Sequence, residues 1–403
     1  MAERGARGDG QGVLHGVRVL DFGRFIAGPF CATLMGDLGA EVIRVERLAG
    51  GEDRYLTPVT EDGQGALYLQ VGRGKRSLTL NPTRPEGREV VRRLVATADV
   101  VVANLPPATR EALGLDYESL RAIKPDIILT TATAFGRGGP WSDRVGFDGL
   151  AQAMSGVMYM SGEEGQPTRS AASWVDFNTA ALCAFATVAA LRHRDLTGEG
   201  QVVEGALLKT ALNAMGATLI EQDQLRVDRV ATLNRGQTSG PSDTFRTADG
   251  HVMCLVIGPG QFERWCRMIG AEELLDDERF ADDLQRGVHG EELSRRMAEW
   301  CAERTVEEVL DALDRARVPG GPVLSPQQAL DHPHVRAIGY LEPVEYPTAA
   351  RPVPVPGPPV ELSKTPGSIR GRAPRLGEHT DEILAELGYD AEQIAGLRER
   401  RVV

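Results

Sequence analysis

Residues 17–46 read VRVLDFGRFIAGPFCATLMGDLGAEVIRVE, and this stretch decides the fold class. It opens with a short apolar, β-branched run, which is typical of a buried parallel strand. Gly28 and Pro29 then mark a turn into a helix predicted over residues 30–38, because Pro suits the first helical turn. Residues 40–46 form the next apolar strand. Strand, helix and strand in this order predict a βαβ unit and therefore a doubly wound parallel sheet.

The alternation of strand and helix patterns continues along the chain and divides it into domains. It predicts a Rossmann-like α/β large domain over residues 1–220. Residues 226–330 combine a strand-like run with amphipathic helical patterns, which indicates a smaller α+β domain joined by long linkers. Residues 331–403 are rich in proline and too short to fold alone. We therefore expect this last segment to return to the large domain and complete it.

Composition excludes several classes of function. Of the 403 residues, 42% are hydrophobic and 25% are charged, as in an ordinary globular protein. The net charge of −12 argues against a nucleic acid or an anionic membrane bound through bulk charge. The start of the chain lacks the apolar run of a secretory signal, and the apolar stretch 180–191 is shorter than the roughly 20 residues of a membrane helix. The five cysteines are scattered without metal-site spacing, so we expect a reduced, cytoplasmic protein without a metal.

Each segment with candidate chemistry also has a purely structural interpretation. The turn at 27–29 presents helix amides to a phosphate, or is only a tight turn, since it lacks the GxGxxG fingerprint. The basic segment 72–77 suits phosphates, but it equally suits a solvated loop. Asp176 opens a helical stretch, where it is either an anionic nucleophile or a helix cap, and the helix N-terminus should keep it ionised. Residues 236–241 form a loop that donates amides to an oxyanion, or a plain domain junction.

Taken together and in order, the segments resemble the family III CoA-transferases. This group contains formyl-CoA, carnitine and benzylsuccinate CoA-transferases and the α-methylacyl-CoA racemases. The matching segments are residues 19–46, 72–81 with PEG after them, 98–120, 134–156, 175–208, 247–253 and 374–389. They cover nearly the whole chain in family order.

The resemblance implies a covalent mechanism and a set of site residues. Asp176 matches the family's nucleophile, which attacks an acyl-CoA thioester to give a mixed anhydride, then an aspartyl-CoA thioester, and then passes CoA to a small carboxylic acid. An ordinary pKa near 3.9 would leave its carboxylate ionised at neutral pH. Acyl-CoA is then a substrate, and no tightly bound cofactor is expected. The residues matched to CoA contacts are Ile26, Ala27, Arg47, Gly72, Lys75, Arg76, Asn104, Leu105, Arg110, Ala134 and Phe135. Gly236, Gln237 and Gly240 fall where the family has a glycine loop over the intermediate.

The sequence departs from the family pattern at a few positions that bear on CoA binding. Ala112 and Pro106 stand where arginine is frequent, and Ala134 where glycine is usual. Arg110 is the nearby residue that could replace the missing charge at position 112.

Three other functions compete with CoA transfer. A racemase needs two bases, and the Gly-His-Asp motif of racemases reads Gly146-Phe147-Asp148 here, which favours the transferase. A non-catalytic acyl-CoA-binding protein would not need Asp176 beside the CoA framework. A nicotinamide-dependent dehydrogenase would need the missing glycine fingerprint. The resemblance further implies an interlocked homodimer in which each chain forms an open ring.

Overall fold

The computed structural model describes residues 12–403 of the chain. The strands are β1 (Arg18–Asp21), β2 (Glu41–Glu46), β3 (Arg76–Thr79), β4 (Val100–Val102), β5 (Ile128–Thr133), β6 (Gly162–Glu163), β7 (Gln166–Pro167), β8 (Val202–Ala206), β9 (Ser242–Arg246), β10 (His251–Leu255), β11 (Gly320–Pro322), β12 (Leu341–Val344) and β13 (Val353–Pro356). The α-helices are α1 (Ala27–Asp37), α2 (Ala66–Val71), α3 (Pro85–Thr97), α4 (Pro107–Ala112), α5 (Tyr117–Ile123), α6 (Asp148–Met154), α7 (Val157–Met160), α8 (Trp174–Thr197), α9 (Leu207–Ala214), α10 (Gly216–Leu225), α11 (Pro259–Ile269), α12 (Asp283–Val288), α13 (Gly290–Cys301), α14 (Val306–Ala316), α15 (Pro326–Asp331), α16 (Pro333–Ala337), α17 (Thr380–Glu386) and α18 (Ala391–Glu399). Short 3₁₀ helices span Glu52–Tyr55, Glu272–Asp276 and Glu278–Phe280.

The chain divides into two compact units. The first unit comprises the described residues up to Ser155, together with Ser170–Gly216 and Arg336–Val403, and the second comprises Gly156–Arg169 and Ala217–Val335. The boundaries predicted from the sequence differ from this division mainly at Gly156–Arg169, which lies within the predicted large domain of residues 1–220.

A six-stranded parallel sheet forms the centre of the first unit. The strand order is β3-β2-β1-β4-β5-β8, and every neighbouring pair runs parallel. This arrangement confirms the predicted doubly wound α/β fold. The chain leaves β1 toward one edge of the sheet and later enters β4 on the other side of β1. The carboxyl ends of β1 and β4 therefore flank the crevice where such sheets bind ligands.

Helices cover both faces of this sheet because its strands alternate between two apolar cores. On β4, Val100 and Val102 face the core that contains α1 and α8, whereas Val101 faces the core formed with α3, α5, α17 and α18. All three valines are at most 1% exposed. The last two helices of the chain thus belong to the first unit.

The second unit has its own core. Strands β9, β10 and β11 form an antiparallel sheet in the order β11-β10-β9. Trp265 of α11 is fully buried in this core, and its Nε1 donates to Sδ of Met297 at 3.2 Å. Phe245 of β9 and Leu313 of α14 pack in the same cluster. This unit confirms the predicted smaller α+β domain.

Helix α8 is the longest element and passes a length and hydropathy test for a membrane span. Among the described residues it is the one helix that does so, and 44% of its 18-residue apolar stretch is buried. It packs against α1, β5 and β8. One such helix is weak evidence for a membrane span, because the core helix of a globular domain passes the same test.

Candidate active site

The turn between β1 and α1 is fixed by hydrogen bonds from two strands. Asp21, the last residue of β1, is fully buried, and its Oδ1 accepts from the Gly23 amide at 2.8 Å. Asn104, just after β4, accepts from the Arg24 amide through Oδ1 at 2.7 Å and donates from Nδ2 to the Arg24 carbonyl at 2.9 Å. Gly28 permits this approach, because a Cβ there would lie 2.7 Å from Asn104 Oδ1. The crevice between β1 and β4 is therefore lined by a well-held turn.

A buried ion pair supports this turn from below. The Nζ atom of Lys75 donates to Asp21 Oδ2 and to the Pro29 carbonyl, both at 2.7 Å, and its side chain is fully buried. Burial lowers the pKa of Lys75 to about 8, although Asp21 opposes the shift. Burial would raise the pKa of Asp21, but Lys75 and Arg44 outweigh it and hold that pKa below its ordinary value. The pair joins the start of α1 to the end of β1.

A first cavity of about 230 Å³ opens beside the turn, at the carboxyl end of the sheet. Its lining residues are Arg24, Phe25, Ala27, Asn104, Leu105, Pro106, Pro107, Ala132, Thr133, Ala134, Ser142, Asp143, Arg144, Val145, Gly146, Phe147, Asp176 and Leu207. Most of this wall is apolar, and the charged side chains on it are Arg24, Asp143, Arg144 and Asp176. A carboxylate on this wall therefore lies among mostly apolar neighbours.

Asp176 lies in the first turn of α8 and is only 9% exposed. Burial, and secondarily the charge of Asp148, raise the pKa of Asp176 to about 7. The sequence had predicted the opposite effect, an ionised carboxylate stabilised by the helix N-terminus. That prediction was wrong because the amides of Val175 and Asp176 donate to Asp148 Oδ2, at 2.8 and 3.1 Å. These amides are therefore not directed at the Asp176 carboxylate.

A second cavity, of about 270 Å³, adjoins the first, and Arg24 and Leu105 line both. Its lining residues are Phe22, Gly23, Arg24, Arg44, Val45, Glu46, Arg47, Gly51, Leu80, Pro82, Leu105, Thr109 and Leu113. These positions follow the carboxyl ends of β1, β2, β3 and β4 or lie close to them. Arg47 lies there with 59% of its side chain exposed, and its solvent-exposed ion pair with Glu52, at 2.9 Å, leaves it accessible to a ligand, unlike a buried pair. Together the two cavities span the crevice at the centre of the sheet.

Residues 14–380 match the sequence model of CoA-transferase family III. The chain belongs to that family. It is therefore an enzyme that acts on CoA thioesters, and the predicted family membership is confirmed.

Curated relatives and solved structures agree with this family. The chain is 34% identical over 397 residues to a "Succinyl-CoA--L-malate CoA-transferase beta subunit" of Chloroflexus aurantiacus, covering 97% of this chain and 98% of the relative. It is 36% identical over 387 residues to a "Succinyl-CoA:mesaconate CoA-transferase" of Haloarcula hispanica, covering 94% and 97%. A solved CaiB/BaiF family protein of Brucella suis superimposes with a TM-score of 0.81 at 31% identity, covering 94% of this chain and all of that one.

The structure of this family III CoA-transferase brings part of the predicted site together. Ala27, Asn104, Leu105, Ala134 and Asp176 line the first cavity, and Arg47 with Leu105 lines the second. Phe135 and Ile26 lie outside both linings. Phe135 packs edge-on against Trp141 at 5.4 Å between ring centroids, and Ile26 is buried just before α1.

The predicted CoA contacts at Gly72, Lys75 and Arg76 need correction. These residues precede β3 or begin it, at the amino end of the parallel sheet, whereas both cavities lie at the carboxyl end. Gly72 is buried as the C-cap of α2, and Lys75 is buried beneath the turn. Arg76 pairs with Glu41 at 2.6 Å and with Glu386 at 2.7 Å.

The residues after β3, rather than those before it, reach the crevice: Leu80 and Pro82 line the second cavity. The sequence interpretation also missed Arg24, Phe25 and Arg144, all of which line the first cavity. The chain direction in a parallel sheet is the signal that could have identified the turn residues and those after β3, because ligands bind where strands end.

Arg110 and the loop at 236–240 keep their predicted roles as predictions. Arg110 is only 4% exposed, its Nη1 has no hydrogen-bond partner, and it lines neither cavity. Gly236 and Gly240 belong to the second unit. Within that unit, Gln237 Nε2 donates to the Val230 carbonyl at 2.7 Å, so the loop has internal contacts of its own.

The racemase alternative lacks the histidine base of racemases at this site. Phe147 lines the first cavity where racemases have histidine, and it packs edge-on against Phe25 at 5.3 Å. Within residues 12–403, no histidine lines either cavity. Asp176 is therefore left without a histidine partner for proton transfer across a substrate carbon.

Proposed function

We propose that this enzyme transfers CoA from a short acyl-CoA, such as succinyl-CoA, to a free carboxylic acid, with Asp176 as the covalent carrier. The observation that carries this proposal is the placement of a buried carboxylate on the wall of the first cavity, next to a second cavity at the sheet crevice. The two cavities suit the two ends of one extended substrate. The thioester end would lie beside Asp176, and the nucleotide end beside Arg47.

The transfer balances without water or an external proton donor. A carboxylate oxygen of Asp176 attacks the thioester carbon, the C–S bond breaks, and a mixed anhydride and CoA thiolate form. The thiolate attacks the Asp176 carbonyl carbon and releases the donor acid, leaving an aspartyl-CoA thioester. The acceptor carboxylate attacks that thioester and displaces the thiolate. The thiolate then attacks the acceptor's carbonyl, which gives the new acyl-CoA and restores Asp176.

Arg144 supports an anionic substrate in the first cavity. Its guanidinium lies 4.0 Å from the Trp141 ring centroid, and none of the described carboxylates forms an ion pair with it. The relatives' names specify malate and mesaconate as acids. We propose that Arg144 binds a negative charge of the substrate, either a CoA phosphate or the second carboxylate of a dicarboxylic acid. Arg144→Met should raise KM equally for succinyl-CoA and butyryl-CoA in the first case, and selectively for succinyl-CoA in the second.

The covalent mechanism is tested by trapping the intermediate. Enzyme incubated with succinyl-CoA should carry CoA on the peptide that contains Asp176, and hydroxylamine should convert that thioester to a hydroxamate detectable by mass spectrometry. Asp176→Ala should abolish both the adduct and CoA transfer. An active Asp176→Ala variant, or a wild-type enzyme that turns over without an Asp176 adduct, would rule the mechanism out.

We further propose that the active form is a homodimer. Helix α8 exposes Leu182 by 51% and Phe185 by 75%, an unusual surface for a long central helix. Light scattering across nanomolar to micromolar concentration should give twice the 43.5 kDa chain mass throughout. An active species of chain mass would contradict the dimer.

We also propose a reduced, cytoplasmic location for the enzyme. The free, buried cysteines support this proposal. Cell fractionation that places the enzyme in an oxidising compartment would contradict it.

A further inference from the structure

A second carboxylate lies directly behind the nucleophile. Asp148, the first residue of α6, is 4% exposed, and its Oδ2 accepts from the amides of Val175 and Asp176. Gln152 Nε2 donates to its other oxygen, Oδ1. Gln152 is itself oriented, because its Oε1 accepts from the Ser170 amide at 3.1 Å. Three N–H donors directed at two oxygens suit an ionised carboxylate, which accepts hydrogen bonds and donates none.

This arrangement removes from Asp176 the stabilisation that a helix N-terminus normally gives a carboxylate. The first amides of α8 are occupied by Asp148, and a like charge is added close by. The other charged groups on the cavity wall are Arg24 from the β1–α1 turn and Asp143 and Arg144 from the loop before α6. Among the described residues, Asp148 is the one charged group found to shift the pKa of Asp176, in addition to burial.

We propose that Asp148 is a positioning residue whose negative charge drives acylation of Asp176. This inference rests on the proposed function, in which Asp176 alternates between a carboxylate and neutral acyl forms. The charge of Asp148 raises the free energy of the neighbouring carboxylate. It has little effect on the anhydride and the thioester, because Asp176 carries no charge in either.

Two measurable consequences follow. The internal equilibrium between free enzyme and aspartyl-CoA thioester shifts toward the thioester, because acylation relieves the repulsion. The pH midpoint of kcat/KM also lies higher than that of an isolated aspartate, because a proton relieves the same repulsion. No bond to Asp148 forms or breaks, so the group transfer balances as before.

Asp148→Asn removes the charge and keeps an acceptor for the α8 amides, while its Nδ2 replaces the oxygen that accepts from Gln152 Nε2. An Asn side chain still accepts from the α8 amides through its Oδ1, and Asn caps helices about as well as Asp. We expect the variant to lower the pH midpoint of kcat/KM by about one unit, and to lower the ratio of adduct to free enzyme with succinyl-CoA about tenfold. The matched control is Asp390→Asn, the same change at the N-cap of α18, where Oδ1 accepts from the Gln393 amide at 2.8 Å. The control should leave the midpoint and the ratio unchanged.

Two further variants test whether the charge of Asp148 is responsible for the effect. Asp148→Glu restores the charge and should restore the high midpoint, even where kcat falls because the carboxylate is displaced. If Asp148→Asn fails to fold, Asp148→Ser provides another neutral cap and the same comparison. An Asp176 adduct that forms in the neutral variants with unchanged midpoint and ratio would overturn the role of Asp148 and leave the proposed function intact. A wild-type enzyme without any adduct would overturn both.

Discussion

Replacing Asp176 should stabilise the protein at alkaline pH. In Asp176→Asn the side chain keeps its volume but loses the charge that the folded state holds in a buried site. A folded Asp176 releases its proton near pH 7, whereas the unfolded residue releases it near 3.8. Between these values the folded state binds more protons than the unfolded state, so wild-type stability falls as pH rises and levels off above about 7.

The size of the effect follows from the shift of about three pKa units. Each unit corresponds to about 1.4 kcal/mol, so a charged Asp176 lowers the free energy of unfolding by about 4 kcal/mol above pH 7.5. The Asn side chain is uncharged at every pH, so the variant does not lose this stability. At pH 5 the wild type has lost only part of this stability. The difference in free energy of unfolding between Asp176→Asn and wild type should therefore be about 3 kcal/mol greater at pH 8 than at pH 5.

Urea unfolding of wild type and Asp176→Asn at pH 5 and pH 8 measures this difference, with intrinsic tryptophan fluorescence as the signal. Protein concentration must be equal in all samples, because the stability of an oligomer depends on it. For the control Asp390→Asn, the difference in free energy of unfolding from wild type should not increase between pH 5 and pH 8. A variant that is less stable than wild type at pH 8, or equally stabilised at both pH values, would refute the assignment of a buried, charge-repelled Asp176.

Three further substitutions test the two cavities and the turn between them. Lys75→Met removes the cation that compensates buried Asp21, so the free energy of unfolding should fall by about 3–5 kcal/mol in denaturant titrations; a higher KM for CoA esters with unchanged stability would instead restore the contact predicted from the sequence. Arg47→Ala should raise KM for CoA esters about tenfold and leave stability unchanged, because the lost charge-assisted bond is worth about 1.5 kcal/mol; an unchanged KM would exclude the second cavity as the nucleotide site. Asn104→Ala removes both hydrogen bonds to Arg24, so thermal unfolding should show a loss of about 2 kcal/mol together with a lower kcat/KM, and wild-type values of both would contradict the account of the turn.

The βαβ unit could be predicted from the sequence because its elements are short and strongly patterned. The strand expected over 40–46 forms as Glu41–Glu46, and the helix expected over 30–38 begins three residues earlier, at Ala27. Strand β8 is not predicted by the local sequence pattern. Its pairing with β5 joins Thr131 to Glu204 and Thr133 to Ala206, contacts between residues far apart in sequence. Local periodicity carries no information about such a partner.

The CoA contacts predicted at Gly72, Lys75 and Arg76 were wrong because the prediction used the charge of the segment and not the end of the strand at which it lies. The segment 72–76 has the composition of a phosphate loop, and three cations within five residues favour that interpretation. In the fold, Lys75 forms an ion pair with Asp21 and Arg76 forms one with Glu41, so neither charge is available to a ligand. Composition identifies groups that could bind an anion, but only the three-dimensional partners show whether those groups are already neutralised.

The protonation of Asp176 also depends on a partner that spacing does not reveal, since Asp148 lies 28 residues earlier in the chain. Burial raises the pKa of Asp176 and also limits the access of water. In the proposed mechanism, attack by water would destroy both acyl intermediates, and the buried surroundings that protect them also disfavour the free carboxylate. With a pKa of about 7, the Asp176 carboxyl group is partly ionised at neutral pH. The proposed transfer uses this ionised form, because in each step a carboxylate and a thiolate act as attacking and leaving groups and neither needs the proton that burial favours.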